Sequence, residues 1–377
     1  MLLINPAQEQ FGGFISRYMQ VGIPVSVGIL AAYMKKHGVP VKAFDEEIEP
    51  LTPSKVAELV KGLERPYVFA ISCLTAHVVR AYGLSKMLKS LYPDCHIVMG
   101  GLHPTALPEE ALGNGADFAV RGEGEEVLLR LYKAIRGNKD YSGLLGVSYM
   151  EGNKVINNPE APLIADIDSI PIFPYELFDH PKYDMGFMVS SRGCPYRCNY
   201  CSIRMMNGST YRYLSAPRVI EELDILINRF NQKSVLFYDD NFCFKKRRVK
   251  ELCSAIISAG FHKKASFAIQ TRADNFYPDV VPMMAEAGFN HAGFGMETAV
   301  DRLAHIINKE ETVEQHREAV RLAQKHGMKV SLFMIFGLPT ETSHDRQESF
   351  DVVQSMAVQE SKFNNIIPYP GTPMWST

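Results

Sequence analysis

Apolar positions in the first ~140 residues follow two alternating rhythms. Short β-type runs, "LLINP", "VPVKAFD", "YVFAISC", "HIVMGG" and "DFAVRG", recur between longer stretches with apolar residues three and four apart. "VSVGILAAYMKKHG" predicts a helix with Val27, Leu30, Tyr33 and Met34 on one face and Gly38 as its stop. "AHVVRAYGLSKMLKSLYP" and "GEEVLLRLYKAIRG" predict two more. Strands alternating with helices imply right-handed crossovers and a doubly wound parallel sheet. Residues 1–140 therefore read as a Rossmann-like α/β domain whose ligand binds outside the C-terminal ends of its strands.

Residues 141–185 change character. "GLLGVSYMEGNKVINNPE" predicts a hairpin around Gly152 and Asn153, and the proline- and acid-rich stretch after it reads as a connection lying on its neighbours. A second alternation fills residues 186–377. Its strands are "GFMVSS", "SVLFYDD", "ASFAIQTR", "HAGFGMET", "KVSLFMIFGLP" and "FNNIIPYPG", separated by five amphipathic helical patterns. Gly260, Gly288 and Gly327 sit where helices stop. A full barrel of this kind has eight strands and its site on the C-terminal loops. Six predict an open, partial (β/α)6 barrel of TIM type.

Composition narrows the function classes. The formal net charge is −2 and charged residues make up 22%. That balance offers no footprint for bulk nucleic-acid or membrane-surface binding. The start "MLLINPAQEQ" lacks the basic and apolar regions of a secretory signal. Runs such as "VSLFMIFGL" fall far short of the roughly 20 residues a membrane span needs. The seven cysteines form no regular framework, which suits a reducing cytoplasm. Cys73, Cys95, Cys243 and Cys253 are expected to be buried small apolar residues.

The other three cysteines crowd into "SRGCPYRCNYCS", directly after the first strand of the second domain. A closed zinc site wants four protein ligands, and three thiolates leave one position open. Gly193 and Pro195 suit a tight loop around a bound object. A zinc site with a distant fourth ligand such as His180 is the rival reading.

The spacing C-x3-C-x2-C of Cys194, Cys198 and Cys201, with aromatic Tyr200 before the last cysteine, resembles the signature of the radical S-adenosylmethionine superfamily. The resemblance implies a [4Fe–4S] cluster on the three thiolates, with the fourth iron chelated by S-adenosylmethionine. It further implies that Asp239 or Asp240 in "FYDDNF" holds the methionine ammonium, Asp240 being favoured. Arg272 in "QTRADNF" and Glu297 in "FGMET" match positions around the methionyl carboxylate and the ribose. "MIFGLPTET", with Glu341, resembles the stretch against adenine. Each of these residues taken alone also reads as a structural or solvated polar group.

The first domain lacks G-x-G-x-x-G after its first strand, where "NPAQEQFGG" stands. Its strand ends "ISCLTAH", "MGGLHPTALPEE" and "RGEGE" resemble the cobalamin-binding domain fused to radical S-adenosylmethionine enzymes. That resemblance implies cofactor contacts from Ser72, Thr75, Gly100, Gly101, His103 and Glu123. His103 also reads as a packing or capping histidine, and His77 as structural. The cobalt-ligating motif D-x-H-x-x-G has only a near miss at Asp94, His96 and Gly100, one residue too long and ahead of the wrong strand. Cobalamin is therefore expected without a histidine ligand.

The basic run "KKRRVK", Lys245 to Lys250, reads as a solvated helix face or as a dock for an acidic electron donor such as flavodoxin or ferredoxin. The resemblance as a whole implies an enzyme that methylates an unactivated carbon of a small molecule, through a 5′-deoxyadenosyl radical and methylcobalamin. Oxidative cyclisation or rearrangement of a tetrapyrrole-type substrate, and a cobalamin-binding module without turnover, are the alternatives. "IIPYPGTPMWST" resembles the sixth strand of the family, which a further C-terminal region normally follows, so the chain reads as a fragment or as a shortened member.

Overall fold

The computed structural model describes residues 1–8 and 21–376. The chain forms two compact units, Met1–Asp184 with Met205–Asn207, and Met185–Arg204 with Gly208–Thr377.

In the first unit, β1 (Leu2–Asn5), β3 (Lys42–Asp45), β4 (Val68–Ser72), β5 (His96–Gly100) and β6 (Phe118–Val120) are mutually parallel. The hairpin of β7 (Val147–Glu151) and β8 (Lys154–Asn157) adds to β6 antiparallel, with Glu151 opposite Lys154. The connection expected after residue 140 thus begins as an extension of this sheet. Sheet order is β3-β1-β4-β5-β6-β7-β8, so the winding reverses between β1 and β4. Such a switch point is where open α/β sheets bind ligands. The two-residue β2 (Val21–Gly22) pairs with β9 (Tyr183–Asp184) outside the main sheet.

The parallel strands read as unbroken apolar runs because both faces are covered. Leu2, Ile4, Phe69, Ile71, Ile97 and Met99 pack with Val56, Ala81, Leu84 and Leu88 from the helices. Those helices are α1 (Val25–Lys36), α2 (Pro53–Leu59), α3 (Val78–Leu91), α4 (Leu102–Ala106), α5 (Pro108–Gly113) and α6 (Gly124–Arg136). α1 buries Val27, Ala31, Tyr33 and Met34, but Leu30 is only half buried. Leu30 instead lines a cleft, and Gly28 leaves room for the Phe173 ring, which a Cβ would meet at 2.1 Å. α2 was not expected, although its signal is local: Thr52 accepts from the Lys55 N–H, and Pro53 occupies the first turn.

In the second unit β10 (Phe187–Met188), β13 (Ser234–Phe237), β14 (Ser266–Thr271), β15 (Phe289–Glu297), β16 (Lys329–Phe336) and β17 (Glu360–Asn365) form one parallel sheet in sequential order. The short antiparallel pair β11 (Ser191–Arg192) and β12 (Arg212–Tyr213) brackets the cysteine loop, which is followed by α7 (Ile203–Asn207). Helices α8 (Ala216–Asp224), α9 (Lys246–Ser258), α10 (Val281–Glu286), α11 (Asp301–Ile306), α12 (Val313–Lys325) and α13 (Ser343–Ser355) alternate with the strands. This is the open (β/α)6 arrangement. Phe237, Phe242, Phe267 and Phe289 stack into its core with centroids 5.0–6.0 Å apart. The sixth strand starts at Glu360 rather than at Phe363 and ends before Pro368 and Pro370, whose missing N–H groups cannot continue a ladder. No helix among the described residues is long and apolar enough to cross a membrane.

Candidate cofactor-binding sites

The cysteine loop leaves β11 through Gly193, whose φ of +86° suits glycine and whose N–H donates to Asp240 Oδ2 at 3.1 Å. Contacts from distant segments then pin it. The Asn199 N–H donates to the Ile307 carbonyl, Asn199 Nδ2 to the Ile306 carbonyl, and Asn308 Nδ2 to the Arg197 carbonyl, all near 2.9 Å. The Arg272 guanidinium lies 3.6 Å from the Tyr196 ring centroid. Tyr200 packs on Leu303, Ile307 and Leu338, and its hydroxyl donates to Glu297 Oε1 at 2.9 Å.

Cys194, Cys198 and Cys201 are unpaired and partly exposed. Burial raises all three thiols, Cys201 to about 11. Three free thiols on one loop leave a metal position to a ligand from outside the protein, as an iron–sulfur cluster with one non-protein ligand requires. His180, offered as a distant zinc ligand, belongs to the first unit, where its Nδ1 accepts from the Lys182 N–H.

The two aspartates beyond β13 part company. Strand pairing ends at Phe237, and the Asp239 carboxylate turns inward to accept from the N–H groups of Ser190 and Ser191 at 2.6 and 3.0 Å. It also accepts from Ser190 Oγ and pairs with Arg248 at 3.3 Å, with Asp239 3% exposed. Arg248 donates further to Tyr211 Oη, the Phe242 carbonyl and Ser190. Asp239 therefore ties the first strand end to α9, while Asp240 stands beside the cysteine loop.

Arg272, 6% exposed, is committed within the protein. It forms a two-pronged pair with Asp274 at 3.0 and 2.8 Å and donates to the Lys309 carbonyl at 2.9 Å. Glu297 adopts φ +66° and gathers Tyr200 and Lys309. Lys309 Nζ also lies 3.1 Å from Glu311, whose other oxygen accepts from the Ala273 N–H at 2.7 Å. Beside Glu311, burial pushes His316 down to about 3, so its ring is neutral. Glu341 accepts from the Gly337 N–H at 2.6 Å and closes the turn after β16. Lys309 and Glu311 escaped the sequence reading, since no local motif marks them; Arg248 was read only as one charge of the basic run.

The basic run is largely consumed by ion pairs. Lys246 and Lys250 both reach Asp279 at 2.6 and 2.8 Å, Arg247 pairs with Glu251, and Arg248 is buried.

In the first unit Ser72 ends β4 at the switch point, with its hydroxyl 3.0 Å from that of Ser26 on α1. An apolar cleft beside it is lined by Leu3, Val27, Leu30, Val98, Val120 and Leu128, with Gly100 and Gly124 at its wall. The cleft lies at the strand ends, where open α/β sheets bind their ligands. Gly101 takes φ +105°, and a Cβ there would come 2.7 Å from the Cys73 carbonyl oxygen, so glycine is required by the fold itself. His103, 3% exposed, is engaged at both nitrogens, Nδ1 with Thr75 Oγ1 at 3.3 Å and Nε2 with Tyr82 Oη at 3.2 Å. Glu123 accepts from the Ile164 N–H at 2.8 Å. From residue 9 onward, "NPAQEQFGG" lies outside the described residues.

His96 opens β5 while Gly100 closes it, which separates them by about 13 Å along the strand at roughly 3.3 Å per residue. His96→Ala is therefore expected to leave the visible spectrum of added hydroxocobalamin unchanged. A shifted cobalt band on that substitution would make His96 a ligand.

Comparison with known proteins joins these two units to one family. Residues 14–131 match the B12 binding domain, and residues 188–353 match the radical SAM superfamily. An uncharacterized methyltransferase of Pyrococcus horikoshii is 33% identical over 100% of this chain and 82% of its own length. The anaerobic magnesium-protoporphyrin IX monomethyl ester cyclase of Cereibacter sphaeroides is 27% identical, covering 93% of this chain and 60% of that protein. The structure of the radical S-adenosylmethionine methyltransferase TsrM from Kitasatospora setae, with cobalamin and a [4Fe–4S] cluster bound, superposes with a TM-score of 0.83. It covers 99% of this chain and 76% of that one, at 17% identity. With a B12-binding fold in its first unit and the radical SAM fold in its second, the chain belongs to the B12-binding radical SAM enzymes.

Proposed function

We propose that the protein is a methyltransferase acting on an unactivated carbon of a small molecule, with cobalamin, S-adenosylmethionine and a [4Fe–4S] cluster as its cofactors. The cysteine loop carries this reading: three free thiols in C-x3-C-x2-C spacing, on a loop pinned from several segments at the C-terminal end of a partial barrel. When bound, these groups supply reductive cleavage of the cosubstrate and a methyl carrier. The residues of this chain bind and orient. Cys194, Cys198 and Cys201 hold the cluster, and Asp240 meets the cosubstrate ammonium. Glu297, held by Tyr200, faces the cosubstrate ribose. Ser72, Gly100 and the adjoining cleft take the cobalamin tail. Thr75, His103, Gly101, Glu123, Asp239 and Arg272 brace these sites. Transfer from the methyltransferase of Pyrococcus horikoshii, at 33% identity, supports methylation as the outcome.

A one-electron donor such as flavodoxin or ferredoxin completes the reading, although Asp279, Glu251 and Asp239 offset part of the positive charge of the basic run. The second reading, oxidative cyclisation of a tetrapyrrole, is favoured by the 27% identity to the magnesium-protoporphyrin cyclase.

The test needs no substrate. Anaerobically reconstituted protein is incubated with reductant, hydroxocobalamin and S-adenosylmethionine labelled in its methyl group. Labelled methyl on the corrin together with S-adenosylhomocysteine is the expected result. Formation of 5′-deoxyadenosine with no label transfer would overturn methylation in favour of cyclisation.

A further inference from the structure

Lys309 lies in the loop between α11 and α12 and is only 5% exposed. Its Nζ sits 3.1 Å from Glu311 Oε2 and 3.5 Å from Glu297 Oε1. Each partner is fixed from elsewhere. Glu311 accepts the N–H groups of Ala273 and Asp274 at 2.7 and 3.3 Å and lies 3.5 Å from Arg272. Glu297 accepts the hydroxyl of Tyr200, the residue next to Cys201 and two beyond Cys198. Arg272 in turn donates to the Lys309 carbonyl.

Burial opposes a charged lysine, and the carboxylates of Glu297 and Glu311 outweigh it, so Lys309 is an ammonium. Desolvation offsets much of the attraction between those buried charges, so the pairs by themselves contribute little net stability. The segment carrying Lys309 touches the cysteine loop directly: Asn308 donates to the Arg197 carbonyl at 2.8 Å, one residue before each of Lys309 and Cys198, and Arg272, which donates to the Lys309 carbonyl, lies against the Tyr196 ring.

We propose that Lys309 is the positioning and charge-balancing residue of the cysteine loop. Its ammonium holds Glu297, and through it Tyr200, against the loop, and it sets a fixed positive charge beside Cys198. A group bound by those thiolates then accepts an electron more readily, because the added negative charge meets a cation in a poorly screened interior. This inference rests on the cluster reading above.

The test uses the full chain, reconstituted anaerobically, as wild type, Lys309→Arg, Lys309→Met and the double variant Lys309→Met/Glu311→Gln. The double variant removes one charge of each sign, so Glu297 alone loses its cation if the single variant fails to fold. Iron content and the midpoint potential of the bound cluster are measured. The Met variants are expected to load iron and to show at least a tenfold lower ratio of reduced to oxidised cluster at a fixed poise, about 59 mV for one electron. Lys309→Arg is expected to keep the wild-type potential. Loss of iron in both Met variants at unchanged melting temperature, with Lys309→Arg loaded, supports the positioning role. Loaded Met variants with the wild-type potential overturn the proposal. Wild-type protein that takes up no iron removes the cluster reading itself, and the role of Lys309 with it.

Discussion

Replacement of Cys194, Cys198 and Cys201 by alanine is expected to abolish iron binding while the chain stays folded. Wild-type protein prepared without oxygen should carry about four irons, as a cluster on three thiolates and one non-protein ligand requires. Any single substitution should cause most of the loss, because a cluster on two thiolates has two open irons. The fold should survive for a structural reason. The three side chains are partly exposed, and the loop is held by Asn199, Asn308 and the Tyr196–Arg272 stack rather than by the sulfurs. The expected stability change is about 1 kcal/mol or less for each residue. Iron and sulfide analysis, the visible cluster absorption and a melting curve on the same samples check this. Stoichiometric zinc in the wild-type protein would sink the cluster reading, and a collapsed melting curve would mean that the thiols support the core.

The neighbouring aspartates should fail in opposite ways. Asp239→Ala strands the Arg248 guanidinium, 3% exposed, without its carboxylate and leaves two serine N–H groups without an acceptor. Removing one partner of a buried pair costs about 3–5 kcal/mol. Domains are commonly stable by only about 5–15 kcal/mol. Asp239→Ala should thus show a much lower denaturation midpoint and poor iron loading that follows from unfolding. Asp240→Asn keeps shape and removes charge beside the loop. It should fold and load iron as wild type does, and lose about 1–3 kcal/mol of cosubstrate affinity, roughly 5- to 150-fold. Denaturant titration and S-adenosylmethionine binding, read from the perturbed cluster spectrum, separate the two. Wild-type affinity in Asp240→Asn would mean that the ammonium is held elsewhere. A stable Asp239→Ala that binds the cosubstrate weakly would exchange the two roles.

That contrast shows why the pair was ambiguous in "FYDDNF". A regular strand would point the two carboxylates to opposite faces. Pairing stops at Phe237, and the direction of each side chain is then set by what it meets, Ser190, Ser191 and Arg248 for one and Gly193 for the other. Those partners are remote in sequence, so no local rhythm encodes the choice. His103 is a similar case. In "GGLHPT" it reads either as a cofactor contact or as a packing or capping histidine, and Thr75 and Tyr82 engage both its nitrogens once α3 and α4 pack. Asp279, from the segment before α10, likewise pairs with two lysines of the basic run and offsets one of their charges.

What the chain states by itself is whatever depends on neighbours in sequence. The three thiols lie within eight consecutive residues, so their chemistry needs no fold to be recognised. The apolar runs of Leu2–Asn5, Val68–Ser72 and His96–Gly100, each followed by a 3.6-period helix, encode a parallel sheet through local sterics and burial. The charge network of Arg272, Glu297, Lys309 and Glu311 has no such local origin. Its members come from the ends of β14 and β15 and from the loop after α11, and each is favourable only when the others are buried beside it. Desolvation makes every one of those charges costly alone and stable together, and that balance exists only in the packed tertiary structure.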